Sequence, residues 1–214
     1  MLCKTAKSAR KLTNKRDIIL DAAATLFLKE GYGAASINKL ITRVGGSKAT
    51  VYAYFENKER LFEAVVENIV EEVPVFINDV QLEDAGMRDG LIAISERLLE
   101  IATSPRHLAL ARIVIAEADK FPEIGRIYYE HTPRHICEVL TAFLKEQAAK
   151  EGFKIIRPQE LVESFTGMVL HHQLFRQFCL DASPPAENEI RRLAVRNANM
   201  LIAMINTAPA KARP

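Results

Sequence analysis

Residues 36–62, SINKLITRVGGSKATVYAYFENKERLF, leave little freedom to any chain that contains them. Ser36 stands before a short run in which Ile37, Leu40, Ile41 and Val44 repeat at helical spacing, so it is expected to cap a first helix. Gly45 and Gly46 stop that helix, because glycine reaches positive φ without a Cβ clash. Ser47 is expected to cap a second helix, Lys48 to Tyr54. Val51 and Phe55 point to the core from it and leave Lys48, Ala49, Thr50, Tyr52 and Tyr54 outward. Asn57 caps the next helix with Arg60 at its third position, and Leu61, Phe62, Val65, Val66, Ile69 and Val70 carry an apolar stripe onward. The middle helix is too short to stand alone, so its neighbours must hold it. Its open face offers a cation, hydroxyls and a small residue, which is the chemistry of a phosphate contact. The pattern is a helix-turn-helix.

Charge is divided unevenly around this motif. Residues 1–60 hold twelve Lys and Arg against five acids, a net of +7, so the remaining residues carry −5 within the whole-chain +2. A basic N-terminal module on a mildly acidic body suits binding to a polyanion. Lys4, Lys7, Arg10, Lys11, Lys15 and Arg16 precede any acid, and this run is read as an arm that lies along a DNA backbone, with residues 1–14 as its disordered part.

Residues 15–62 resemble the DNA-binding domain of the TetR family of bacterial transcriptional regulators. The resemblance rests on LFLKEGY at the end of the first helix, on S-I-x-x-L-I, on S-K-x-T-V-Y-x-Y-F and on N-K-E-x-L-F. It implies DNA contacts from Ser36, Ser47, Lys48, Thr50, Tyr52 and Tyr54, and a phosphate contact from Lys58. Two positions depart from the family pattern. Gly46 stands where an apolar residue is usual, which implies a looser turn, and Ala49 stands where glycine is frequent. A second resemblance, RIVIAEADKFPEIGRIYYEHTPR within residues 105–180, is to the C-terminal effector domain of the AcrR/AefR-type subgroup.

The whole chain reads as all-α, about nine helices, with a three-helix head over residues 15–62 and a helical body over 63–214. Helix 1 is expected over Lys15–Glu30, with Ile18, Ile19, Ala22, Ala23, Leu26 and Phe27 inward. Helix 4 should run from Lys58 to about Val73, where Pro74 ends or kinks it. Helix 5 lies near Arg88–Thr103, and Ser104-Pro105 opens helix 6 through Ala118. Helix 7 follows Pro122, breaks at Pro133 and resumes to Lys150; helix 8 runs from Pro158 to Leu180 and helix 9 from Ala186 to Asn206. No segment reads as a signal peptide or a membrane span, and three widely spaced cysteines read as free thiols, which together point to the cytoplasm.

The TetR resemblance implies a homodimer through helices 8 and 9. The apolar lines assigned to that interface are Val162, Phe165, Val169, Leu174 and Phe178 with Ile190, Leu193, Leu201 and Ile205. Pairing has a physical motive, since one recognition helix reads few base pairs and an isologous dimer matches a palindromic operator. Helices 5 to 7 are expected to enclose a pocket for a mid-sized lipophilic effector. Its candidate lining is Ile113, Glu117, Phe121, Tyr128, Tyr129, Phe143, Phe165, Met168, His171, His172 and Phe175. Among the histidines, Pro133 interrupts the His131/His135 pair and adjacent His171 and His172 diverge by about 100° on a helix, so no metal site is assigned. No cofactor motif and no catalytic motif is present.

The expected function is a ligand-responsive transcriptional regulator, a repressor that binds double-stranded operator DNA as a homodimer and is released by a small molecule, with no membrane partner. The alternative is a helical enzyme or metal-binding protein whose N-terminal hairpin is only structural.

Overall fold

The computed structural model describes residues 14–78, 80, 85–180 and 182–207, and these contain eleven α-helices, one π-helical segment and no strand. The expected nine rods are all present, two of them subdivided. The chain forms two compact units that divide between Val65 and Val66.

In the N-terminal unit, α1 (Lys15–Ala34) begins at Asn14, whose side chain accepts from the Asp17 amide, and bends at Gly31, where φ is +79°. Ile19, Leu20, Ala23, Ala24, Leu26 and Phe27 are its buried residues. Ile18, expected inward, is instead 37% exposed, because the stripe is centred one residue further along, on Ile19 and Leu20. α2 (Ile37–Val44), α3 (Lys48–Phe55) and the start of α4 (Lys58–Val70) complete the unit. Its core is an aromatic cluster in which Phe62 lies 5.0 Å from Phe27 and 4.9 Å from Tyr32, ring centre to ring centre. Leu40, Val51 and Leu61 are buried to within 1%. Each such side chain contributes roughly 1.5–3 kcal/mol by leaving water.

In the C-terminal unit, the helix expected to reach Val73 breaks earlier. A turn at Glu71 separates α4 from α5 (Glu72–Asn78), and Pro74 sits in the first turn of α5. The first four amides of a helix have no intrahelical acceptor, so proline costs little there. α6 (Met87–Ala102) is the axis of the unit, with nine of its residues buried. α7 (Pro105–Glu117) follows, opened by Ser104 and Pro105 as the sequence requires.

The break expected at Pro133 does not occur. α8 (Pro122–Tyr129) continues through a π segment, Glu130–Arg134, into α9 (His135–Lys150). Proline cannot donate to the helical ladder, and the wider π turn carries the chain past it. Thr132 adds a hydroxyl bond to the Tyr128 carbonyl.

α9 closes with a Schellman pair, Gly152 N–H to Ala149 O at 3.2 Å and Phe153 N–H to Ala148 O at 3.0 Å. α10 (Pro158–Leu180) and α11 (Glu187–Thr207) then pack against α6, with Ala194 and Ala198 fully buried on α11.

This packing draws most of the residues expected at a self-association face into the protomer. Val162, Phe165, Val169, Ile190, Leu193, Leu201 and Ile205 are all buried in the protomer's own core. Leu174 and Phe178 are half-buried. The strongest apolar stripe of an amphipathic helix goes first to its own core. The exposed apolar side chains of these two helices are others, among them Phe175 at 57%, Leu180 at 72% and Met200 at 47%.

Gly90 shows how tightly α6 is seated. A Cβ at this position would lie 2.2 Å from Cζ of Phe143, itself 5% exposed. Gly90→Ala is expected to destabilise the chain by roughly 1–3 kcal/mol through overpacking, and Phe143→Leu in the same chain should recover part of the loss. Chemical denaturation of the single and double variants measures both.

Candidate nucleic-acid interface

The turn between α2 and α3 is built by two glycines and a serine. Gly45 caps α2 at φ +69°, its N–H donating to Ile41 O at 2.8 Å, and Gly46 follows at φ +106°. A residue with a Cβ would be strained at both positions. Gly46 therefore serves a specific conformation. Ser47 then caps α3: its Oγ accepts from Thr50 N at 3.2 Å, while Thr50 Oγ1 accepts from Ser47 N at 3.4 Å. This reciprocal box uses the Thr50 hydroxyl, a role for which the sequence reading gave Thr50 no credit.

Val51 at 1% and Phe55 at 4% exposure pin one side of α3. On the other side Lys48 and Ala49 are exposed, Thr50 is half-buried, and Tyr52 and Tyr54 are 37% and 46% exposed. The helix presents a row of donors and aromatic faces on a buried footing.

Ser36 and Lys58 are occupied with local structure. Ser36 Oγ accepts from Lys39 N at 3.2 Å to cap α2. Lys58 Nζ donates to Tyr32 O at 2.5 Å and lies 4.3 Å from the centre of the Tyr32 ring, tying the start of α4 to the end of α1.

Lys15 and Arg16, read from sequence as part of the basic arm, belong to the first turn of α1. Lys15 Nζ donates to Val44 O at 2.6 Å and to Gly45 O at 3.3 Å, satisfying carbonyls at the negative end of α2. The Arg16 guanidinium lies 5.1 Å from the centre of the Phe55 ring. These two cations brace both helices of the motif. The signal that separates them from the arm was Asn14, a helix-capping residue immediately before them. Lys4, Lys7, Arg10 and Lys11 lie outside the described residues.

Comparison with known proteins places this geometry. Residues 19–65 match the family described as bacterial regulatory proteins, tetR family. Residues 89–204 match the AefR-like transcriptional repressor, C-terminal domain. The chain belongs to the TetR family. It is a DNA-binding transcriptional regulator of that family.

Among TetR-like relatives, the nucleoid occlusion factor SlmA of Vibrio campbellii is 32% identical over 145 residues, covering 66% of this chain and 72% of its own. The transcriptional repressor ComR of Escherichia coli is 34% identical over 89 residues, covering 39% of this chain and 42% of its own. A TetR-family regulator from Mesorhizobium loti superposes with a TM-score of 0.80 at 26% identity, over 89% of this chain and 96% of its own. The flavonoid-responsive regulator FrrA superposes at 0.73 with 28% identity, over the same shares of the two chains.

In the AefR-like body, the eleven residues expected around an effector have different surroundings. Phe143 and Phe165 belong to the core cluster, with Met168 packed against it. Ile113 is buried, while Glu117, Phe121 and Tyr128 are half-buried. Tyr129 and Phe175 are 58% and 57% exposed, and His171 and His172 are exposed, the His171 ring lying 4.7 Å from that of Phe175. Burial pushes the Tyr128 phenol up, against an opposing hydrogen bond with Thr132. Cys137 is half-buried and its thiol is pushed up, first by that burial, which disfavours the thiolate that redox chemistry needs.

A set of polar groups that the sequence reading passed over is more informative. The inward line of α10 runs Val162, Phe165, Val169 and then Gln173 and Gln177. These amides are 5% and 3% exposed, yet Gln173 Oε1 and Gln177 Nε2 have no hydrogen-bond partner. His107 on α7, a helix that packs against α10, is 8% exposed and its Nε2 likewise has no partner, while Nδ1 meets Ser104 Oγ at 2.9 Å. A buried polar atom without a partner costs about 1–3 kcal/mol, so such atoms on two packed helices mark places where packing is not the whole requirement. The sequence signal was available: two glutamines four apart continue an apolar line.

Burial drives the His107 imidazole down to about 4, and neighbouring Arg106 adds to the shift. Between the ordinary value of 6.5 and about 4, the unfolded chain takes up a proton that the folded chain refuses. The contribution of neutral His107 is complete above pH 6.5 and is lost as pH falls toward 4. Chemical unfolding at pH 7 and at about pH 4.5 should show the native chain losing roughly 2 kcal/mol more than His107→Leu does.

Proposed function

We propose that this TetR-family protein is a cytoplasmic repressor that binds a palindromic operator as a homodimer and is released by a small lipophilic effector. What supports the DNA-reading part is α3, pinned by Val51 and Phe55 with Lys48, Thr50, Tyr52 and Tyr54 on its open side. In this reading Lys48, Ser47 and the tyrosine hydroxyls engage phosphates, and Thr50 reaches a base edge in the major groove. Ser36 and Lys58 fix the helices that carry those groups and add phosphate contacts from the rim. Two heads would sit about 34 Å apart, one helical turn of DNA.

The reading assigns DNA to residues 15–62, aided by the arm at 1–14, and assigns effector binding and self-association to 63–214. Self-association would use the outward sides of α10 and α11, where Phe175, Leu180 and Met200 are exposed. Effector binding would use the buried amides of Gln173 and Gln177 with His107, beside the apolar and aromatic side chains of α7 and α8. Similarity to FrrA, a flavonoid-responsive regulator, supports an aromatic effector with hydrogen-bonding groups. To weaken operator binding, such an effector must bind the DNA-incompetent arrangement more tightly.

A second reading has an observation of its own. The Vibrio relatives are nucleoid occlusion factors, so DNA binding in this chain would serve chromosome-wide marking instead of control of one promoter. The ratio of specific to non-specific affinity, with the number of sites recovered from genomic DNA, separates the two.

The test of the DNA-contact assignment uses duplexes selected by the protein from a random pool. Lys48→Ala should weaken binding to all sequences alike and reduce the salt slope by about 1. Thr50→Ser keeps the capping hydroxyl and removes only the methyl, so it should alter base preference by roughly 1–3 kcal/mol with little loss of head stability. Thr50→Ala should lose about 1 kcal/mol of stability as well. Unchanged binding in both Lys48→Ala and Thr50→Ser would remove α3 from the interface.

A further inference from the structure

The connection between α9 and α10 borders a cleft whose lining is distinct from α3 and from Gln173, Gln177 and His107. The Schellman turn at Gly152 and Phe153 leads into Ile155, whose side chain is buried, and then into Arg157, which adopts φ +55° just before Pro158 opens α10. A left-handed conformation at a non-glycine residue persists only where its surroundings over-determine it. The chain is thereby held as a wall, and a cleft of about 260 Å³ lies between it, the first turns of α10 and the last turn of α11.

The lining is of two kinds. Phe153, Leu161, Met204 and Ile205 provide an apolar channel, while Lys154 and Arg157 provide cations. Glu160 also borders the cleft and lies 3.3 Å from Arg157, an ion pair in which both side chains are largely exposed and therefore weak. Lys154 has no carboxylate partner among the described residues. With two cations and one carboxylate the lining carries a net positive charge beside its apolar side chains. At about 260 Å³ the cleft lies just below the range of roughly 300–1,000 Å³ usual for ligand sites, so it suits a small ligand.

We propose that this cleft binds a medium-chain carboxylate, its alkyl chain along Phe153, Leu161 and Met204 and its carboxylate between Lys154 and Arg157. The apolar wall excludes a small inorganic anion as the preferred occupant, and the two cations disfavour an alkylammonium. The proposal does not rest on the regulator reading, although Ile205 of the lining was also assigned from sequence to self-association.

The test uses the full chain labelled with ¹³C at its methionine methyl groups, with octanoate as the probe. Octanoate should shift the Met204 methyl resonance in a saturable way and leave that of Met87, buried in the core, in place. 1-Octanol and octylammonium should bind at least tenfold more weakly. Lys154→Glu with Arg157→Glu should weaken octanoate at least tenfold and reverse the preference toward octylammonium. Should that pair unfold, Lys154→Gln with Arg157→Gln carries the same comparison with octanol. Leu161→Trp, which fills the trough, should abolish binding. Equal affinity for the three probes, an unmoved Met204 resonance, or native-like octanoate binding in the charge variants would overturn the proposal. A Met204 shift that follows protein concentration instead of octanoate would also overturn it, because a second copy of the chain would then be the occupant.

Discussion

A helix of eight residues has too few internal hydrogen bonds to hold itself, and α3 is such a helix. Everything proposed for DNA reading depends on what the rest of the head supplies to it. Ser47 and Thr50 satisfy each other's backbone amides at its start, which removes the fraying that would blur the positions of Lys48 and Thr50. Val51 and Phe55 fix its rotation about its own axis, and Arg16 rests on the Phe55 ring. Lys15 and Lys58 then tie α2 and α4 to α1 through carbonyl oxygens. Three of the unit's cations thus brace the head from within as well as adding to its positive charge.

How much of this was legible in the sequence depends on the range of the interaction. Ser36, Gly45, Ser47 and Asn57 announced their caps and turns because those are contacts between residues within four of each other, and the structure places them as read. Lys15 was misassigned because its partner, Val44, is 29 residues away. Thr50 was legible as an exposed hydroxyl but not as half of a capping box, which needs the geometry of both hydroxyls. Most residues of α10 and α11 assigned from sequence to self-association lie in the protomer's own core. A sequence shows that Val162, Phe165 and Leu201 are apolar, but it cannot show that α6 lies against them.

The body shows the converse lesson. Its helices were placed nearly to the residue by Pro105, Pro122, Pro158 and Gly152, yet their apolar composition concealed where polar chemistry is buried. Gln173 and Gln177 occupy positions at which leucine would be the more stable choice by the logic of burial alone. That a stable core retains two amides and an imidazole with open hydrogen-bonding capacity ties stability to whatever satisfies them, and natural cores sacrifice stability mainly at sites of function.

The π turn at Pro133 has a consequence for the direction in which that long rod faces. Successive residues of a regular helix advance by about 100°, so a turn that accommodates a surplus residue rotates everything beyond it relative to what came before. Ile124 and Ile127, ahead of the turn, lie on a helix that packs with α7, whereas Ile136, Leu140 and Leu144, beyond it, lie on one that packs with α6 and α10. One continuous rod can therefore serve two sets of neighbours whose directions a single unbroken stripe could not satisfy, and the proline that would ordinarily divide it sets the phase between them.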